Sequence, residues 1–172
     1  VKNLNGLITG RVIFVDPGVA DYQSLIAHAD TNATIVVLDA HADGVEQIHD
    51  YLTNTTGSIS TVDIVSHGDA GVLYLGSTTL SSHNIAQYED VLSGIGHQLA
   101  LNANILLYGC NVAAGQAGQG FIDRLAELTG TDVAASTNLT GAATLGGDWV
   151  LEAVNMGGEL RANALQIPAY QG

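Results

Sequence analysis

One cysteine and one histidine-glycine pair are the residues of this chain whose types and positions could do chemistry. His67 ends the apolar run at residues 64–68 (IVSHG), and Cys110 ends the run at 106–110 (LLYGC). A thiolate is a strong nucleophile. An imidazole beside it can take the thiol proton and later return it to a leaving amine. Glycine after the histidine removes the side chain that would keep a substrate carbonyl away. The N–H groups of Gly68 and Cys110 could therefore serve together as an oxyanion hole.

Such a pair needs a scaffold that brings two distant segments together. Short apolar runs recur at residues 11–16 (RVIFVD), 34–39 (TIVVLD), 61–66 (TVDIVS), 104–109 (NILLYG) and 132–136 (DVAAS). Most are continuous rather than alternating, as in strands buried on both faces of a parallel sheet. Helical patterns fall between them, at 19–29, 44–53, 83–99 and 116–128. Asp43 is the expected cap of the second, and Gly130 the stop after the fourth. Residues 72–80 read as an inserted hairpin, 146–154 as a glycine turn feeding a late strand, and the last dozen residues as irregular. Alternating strands and helices predict an α/β fold, with a mostly parallel central sheet between two helical layers. Ligand sites in such sheets form beyond the carboxyl ends of the strands. If the third and fourth strands are neighbours, His67 and Cys110 lie about 5 Å apart across the sheet.

The His-Gly and Cys blocks at these strand ends resemble those of the caspase-like cysteine peptidases. Gly109 stands where most of that family has alanine. The resemblance implies a caspase-like three-layer fold, with His67 as general acid and base and Cys110 as nucleophile. No third catalytic residue is implied. It also implies that residues past the first strand shape the pocket for the side chain before the cut bond. Asp16 sits there, with Asp39, Asp69 and Ser136 as further candidates. An acidic pocket would favour cleavage after Lys or Arg, and Arg161, in the tail, is then a better internal site than Lys2, Arg11 or Arg124. A second resemblance spans nearly the whole chain. VIFVD, DIVSHG, LLYGCNVAAG, DVAAST and GGDWVLE are similar to an uncharacterised bacterial domain near the start of giant secreted adhesin-like proteins. It implies an extracellular or cell-surface setting.

Composition narrows the alternatives. The 172 residues suit a single domain, 1–172, and 47% hydrophobic against 12% charged residues argues for a packed globule rather than disorder. Seventeen acidic residues against four basic ones give a net charge of −13. Such a surface cannot neutralise phosphates, so nucleic acid is not an expected partner. No apolar run approaches the ~20 residues of a membrane span. The chain opens without Met or a signal-like segment and reads as a piece of a longer protein. The expected partner is a polypeptide, its own parent chain included.

The bland readings stand beside these. A lone cysteine is often a buried core residue, and a lone histidine often bonds a backbone carbonyl. Asp16, Asp39 and Asp43 are ordinary turn and cap formers. Trp149 and Tyr170 are expected to pack. The histidines at 28, 41, 49, 83 and 97 show no close ligand spacing, so no metal site is expected. No cofactor is expected either, although calcium stays open as an activator. The competing function is a catalytically silent module for secretion, retention or adhesion.

Overall fold

The computed structural model describes residues 10–29, 32–168 and 170–172. Lys2 lies outside them. The chain forms an α/β fold around a six-stranded, mostly parallel sheet. Its strands are β1 (Gly10–Val15), β2 (Thr34–Val37), β3 (Ile59–Val65), β7 (Leu99–Tyr108), β8 (Asp132–Ala135) and β9 (Ala153–Val154). Their spatial order is β2-β1-β3-β7-β8-β9, and only β9 runs antiparallel. Between β3 and β7, β4 (His67–Asp69), β5 (Val72–Leu75) and β6 (Thr78–Ser81) make a small antiparallel sheet. The expected hairpin is thus the outer part of a three-stranded unit. Its first strand is the His-Gly segment itself.

The two faces of the main sheet are covered differently. Along β1 and β7, Val12, Phe14, Ile105 and Leu107 face one core, and Ile13, Val15, Leu106 and Tyr108 face the other, the period-2 alternation of a strand buried on both sides. The first core is roofed by helices α2 (Gly44–Thr53), α3 (Glu89–His97) and α4 (Gly115–Thr129), with the hairpin residues Leu73, Leu75 and Leu80. Asp43 caps α2 as expected, its carboxylate accepting from the N–H groups of Val45 and Glu46. Gly130 ends α4 at φ 67°. The long helix expected at 83–99 is a 3-10 turn (Ile85–Tyr88) followed by the shorter α3, because β7 starts early, at Leu99. His83 therefore lies in a turn.

The second core has one short helix, α1 (Tyr22–His28), and an extended strap built from residues 149–168 and 170–172. The strap has no helical hydrogen bonds of its own. Its first half pairs with β8 and donates to Asp123 and Asp132, and side chains projecting from β7 hold its second half. Asn104 donates to the Glu159 carbonyl and accepts from the N–H groups of Arg161 and Ala162. The Tyr108 hydroxyl accepts from Leu165 N–H. Leu165, Ile167 and Tyr170 are buried beneath it. Asp63, fully buried on this face, is held by a two-pronged pair with Arg11. Arg161 is pinned between Asp132 and Glu159, so the basic residue expected in a loose tail is a structural anchor. Among the described residues no helix is long and apolar enough to cross a membrane.

Candidate active site

β3 and β7 lie side by side and in parallel, Val65 level with Tyr108. Their ladder runs one step further, Ser66 N–H donating to the Tyr108 carbonyl at 3.1 Å. His67 and Cys110 each follow two residues after this matched pair. Both have the facing of Val65 and Tyr108, towards the strap. They line one cavity of about 230 Å³, whose floor includes Val65 and Tyr108. His67 is exposed and Cys110 half-buried, so both are within reach of a solute.

Glycines allow the two segments to approach. A methyl at Gly68 would sit 2.5 Å from a Val112 methyl and 3.2 Å from the Cys110 carbonyl oxygen. A methyl at Gly109 would lie 3.0 Å from Val112 and 3.3 Å from the Ser66 carbonyl oxygen. Glycine fits before this cysteine without strain, whereas alanine would need Val112 to give by a few tenths of an ångström. Just after it, Asn111 adopts φ 60°, its N–H donating to the Asn138 carbonyl at 2.7 Å. Asn is among the few side chains that tolerate this left-handed conformation. The resulting sharp turn leaves Cys110 on the rim between strand and helix.

Backbone carbonyls orient both side chains. His67 Nε2 lies 2.9 Å from the Gly18 carbonyl oxygen. A carbonyl only accepts, so Nε2 carries the proton, and in the neutral ring Nδ1 is left as the basic nitrogen. Gly18 is fixed in turn by its N–H, which donates to Asp16 Oδ1 at 2.8 Å. The Cys110 thiol points at the Thr140 carbonyl oxygen, 3.7 Å away. Thr140 Oγ1 is buried without a hydrogen-bond partner among the described residues. Burial, with Asp21 and Cys110 nearby, pushes the Tyr170 phenol up; its hydroxyl donates to the Ala20 carbonyl.

The other sequence candidates lie elsewhere. Asp16 is 8% exposed, and its carboxylate is engaged by Gly18 N–H and by Gly76 N–H of the hairpin turn. It ties β1 to the hairpin and holds the carbonyl that holds His67. Asp39 accepts from His41 N–H, Asp69 from Ala70 N–H, and buried Ser136 bonds Asn138. None of the four lines the cavity. What sequence reading missed is the cavity wall, formed by the loop from Leu139 to Trp149 and by Tyr170. Trp149 packs against Tyr108 and Tyr170, ring centres 5.6 and 5.7 Å apart. The packing expected of Trp149 and Tyr170 is there, and the same rings shape the site. The Gly18 carbonyl was also missed. Every residue has such a group, so no side-chain pattern marks it.

On α2, away from this cavity, Glu46, His49 and Asp50 bring potential ligand atoms within 4.8 Å of one another. Their i, i+3, i+4 spacing was overlooked in the sequence, and exposed acidic groups commonly cluster so without an ion.

Among curated proteins none matches the chain. The family model described as "Domain of unknown function (DUF4347)" matches residues 12–172, and the chain belongs to that family.

Proposed function

We propose that the domain is a cysteine endopeptidase of the caspase-like kind, working with His67 and Cys110 on its own parent chain or on a neighbouring surface protein. The observation that carries the reading is one cavity, at the carboxyl ends of two adjacent parallel strands, lined by both the only cysteine and a histidine with a fixed tautomer.

The roles rest on the resemblance and on the cavity that His67 and Cys110 share. Swinging the thiol from Thr140 towards Nδ1 lets His67 take its proton. The thiolate then attacks the scissile carbonyl carbon, forming a C–S bond while the carbonyl electrons move onto oxygen. The N–H groups of Gly68 and Cys110 are assigned to that oxygen. Collapse breaks the C–N bond, and the imidazolium gives its proton to the departing amine. Water then attacks the thioester, His67 accepts the water proton, and a carboxylic acid leaves as the thiol is restored. The Gly18 carbonyl stabilises the imidazolium during each transfer, the part a buried acceptor plays for other catalytic histidines. A preference for Lys or Arg before the cut bond keeps only the net charge of −13 as support, since the four expected pocket residues serve other ends.

The test is covalent labelling of the whole chain with a thiol-reactive peptide probe. Wild type is expected to be labelled at Cys110, Cys110→Ala not at all, and His67→Ala at least ~100-fold more slowly, in line with the usual gain from a positioned acid-base group. A Cys110 that reacts no faster than a free cysteine, with or without His67, rejects the enzyme. The alternative, a silent module for secretion, retention or adhesion in a large extracellular protein, draws on one observation: at rest the thiol bonds Thr140.

A further inference from the structure

The cavity beside Cys110 has a chemical character of its own. At about 230 Å³ it is smaller than the ~300–1,000 Å³ of pockets that take whole small molecules, and it suits one side chain. Its walls are aliphatic and aromatic: Leu139 and Leu145 from the loop, Trp149 and Tyr170 across from them. Among the described residues no Asp, Glu, Lys or Arg side chain lines it. The polar end of Tyr170 is already committed to the Ala20 carbonyl, and the ring contacts of Trp149 with Tyr108 and Tyr170 hold the wall in place. Placing a Lys or Arg side chain here would strip its charge of water with no counter-charge in return, which is costly. Placing a leucine there removes apolar surface from water on both sides.

Resting on the assignment of His67 and Cys110 as the catalytic pair, we propose that this cavity receives the side chain before the cut bond and selects an uncharged apolar residue of leucine or methionine size. Leu139, Leu145 and Trp149 are then specificity-determining residues. The strongly negative surface does not argue otherwise. Its long-range field speeds the arrival of any cationic peptide, whichever residue precedes the bond, and acts outside the cavity.

Three peptidyl acyloxymethyl ketones, alike except for a final Leu, Arg or Asp, test the proposal. Each carries compensating remote charges so that net charge is constant. The thiolate displaces the probe's carboxylate and leaves a thioether, read by intact mass. The Leu probe is expected to label Cys110 at least ~10-fold faster than the Arg probe, from the transfer value of one buried leucine. Leu139 is 47% exposed, so Leu139→Asp can add a carboxylate to the wall with little disturbance of the core. It should swing the Leu-to-Arg ratio towards Arg by at least ~10-fold, with the urea midpoint unchanged. Faster labelling by Arg in wild type, equal rates for all three probes, or a ratio that Leu139→Asp leaves unmoved overturns the pocket assignment and leaves the peptidase standing. Failure of all three probes on a Cys110 that iodoacetamide alkylates like free cysteine overturns the peptidase reading, and this inference with it.

Discussion

The two faces of the central sheet are built on different principles. One is a helical roof, in which α2, α3 and α4 satisfy their own backbones and contribute apolar side chains such as Ile48, Leu92 and Ile122. The other is α1 and a strap tied to the scaffold by β8, by Asp123 and Asp132, and by Asn104 and Tyr108 reaching up from β7. The roof can be strong without depending on any single polar contact. The strap depends on a few, and the candidate site lies on its side. Loops and straps positioned by a rigid scaffold are where binding surfaces usually sit, because they can change shape without unfolding the core.

The largest expected effect comes from the charged pair under the strap. Burial pushes the Asp63 carboxyl up, and the Arg11 guanidinium beside it pulls it down. Arg11→Met leaves that carboxylate buried and alone, at a cost of about 3–5 kcal/mol, measurable by urea unfolding. A loss below ~1 kcal/mol would show that the strap face tolerates an unpaired charge and is wetter than described.

A matched pair of deletions sharpens the contrast. Ile122 and Ile167 are 0% and 2% exposed. Each isoleucine truncation opens a void, at about 2–5 kcal/mol. In α4 the void cannot close, so Ile122→Ala should fall in the upper half of that range. The strap can settle into the space, so Ile167→Ala should fall near the bottom. Ile167→Ala should also alter the rate at which the peptide probe labels Cys110, because Tyr170 of the cavity wall follows three residues later. Equal costs, with labelling untouched in both variants, would erase the distinction between roof and strap.

The roof was largely legible in the sequence and the strap was not, for the same reason. β1, β3 and β8, and helices α2 and α4, advertise themselves locally through continuous apolar runs, the cap at Asp43 and the stop at Gly130. β7 was cut short because Leu99 was taken into the preceding helical pattern and Asn102 and Asn104 interrupt the apolar residues of the strand's first half. β4 was missed because a three-residue strand of His, Gly and Asp is defined by its pairing with Val72, Leu73 and Tyr74, not by its composition. The strap looks irregular because its order comes from Asn104 and Tyr108, more than fifty positions away in the chain, and such bonds leave no local period. The site divides along the same line. His67 and Cys110 could be read from strand ends. Asp16 was singled out by position as a pocket residue, but its carboxylate supports the turn that carries Gly18. The apolar wall assembled from Leu139, Trp149 and Tyr170 has no pattern that a single sequence displays.

The smallest expected effect is a pH response confined to the strap. Burial works against the ionised form of Asp132, but the N–H of Glu159, the Arg161 guanidinium and the Asn155 amide outweigh it and hold the carboxyl below its ordinary value of 3.8. A depressed carboxyl contributes stability that is fully present above the unfolded-state value and disappears as pH falls through the folded-state one. The window therefore opens just under pH 4. Asp132 is partly exposed, so the effect is local loosening rather than global unfolding. Hydrogen exchange at Glu159, Arg161 and Ala162, corrected for intrinsic rates, should speed up below that pH while α4 stays protected. Glu159 shares the same guanidinium, so the decisive comparison is Asp132→Asn. In that variant the strap should exchange fast at pH 6 already and change little on acidification. A strap that remains as protected in Asp132→Asn as in wild type would mean that Asn104 and Tyr108 hold it unaided, and that the acid-sensitive latch is no part of what shapes the cavity.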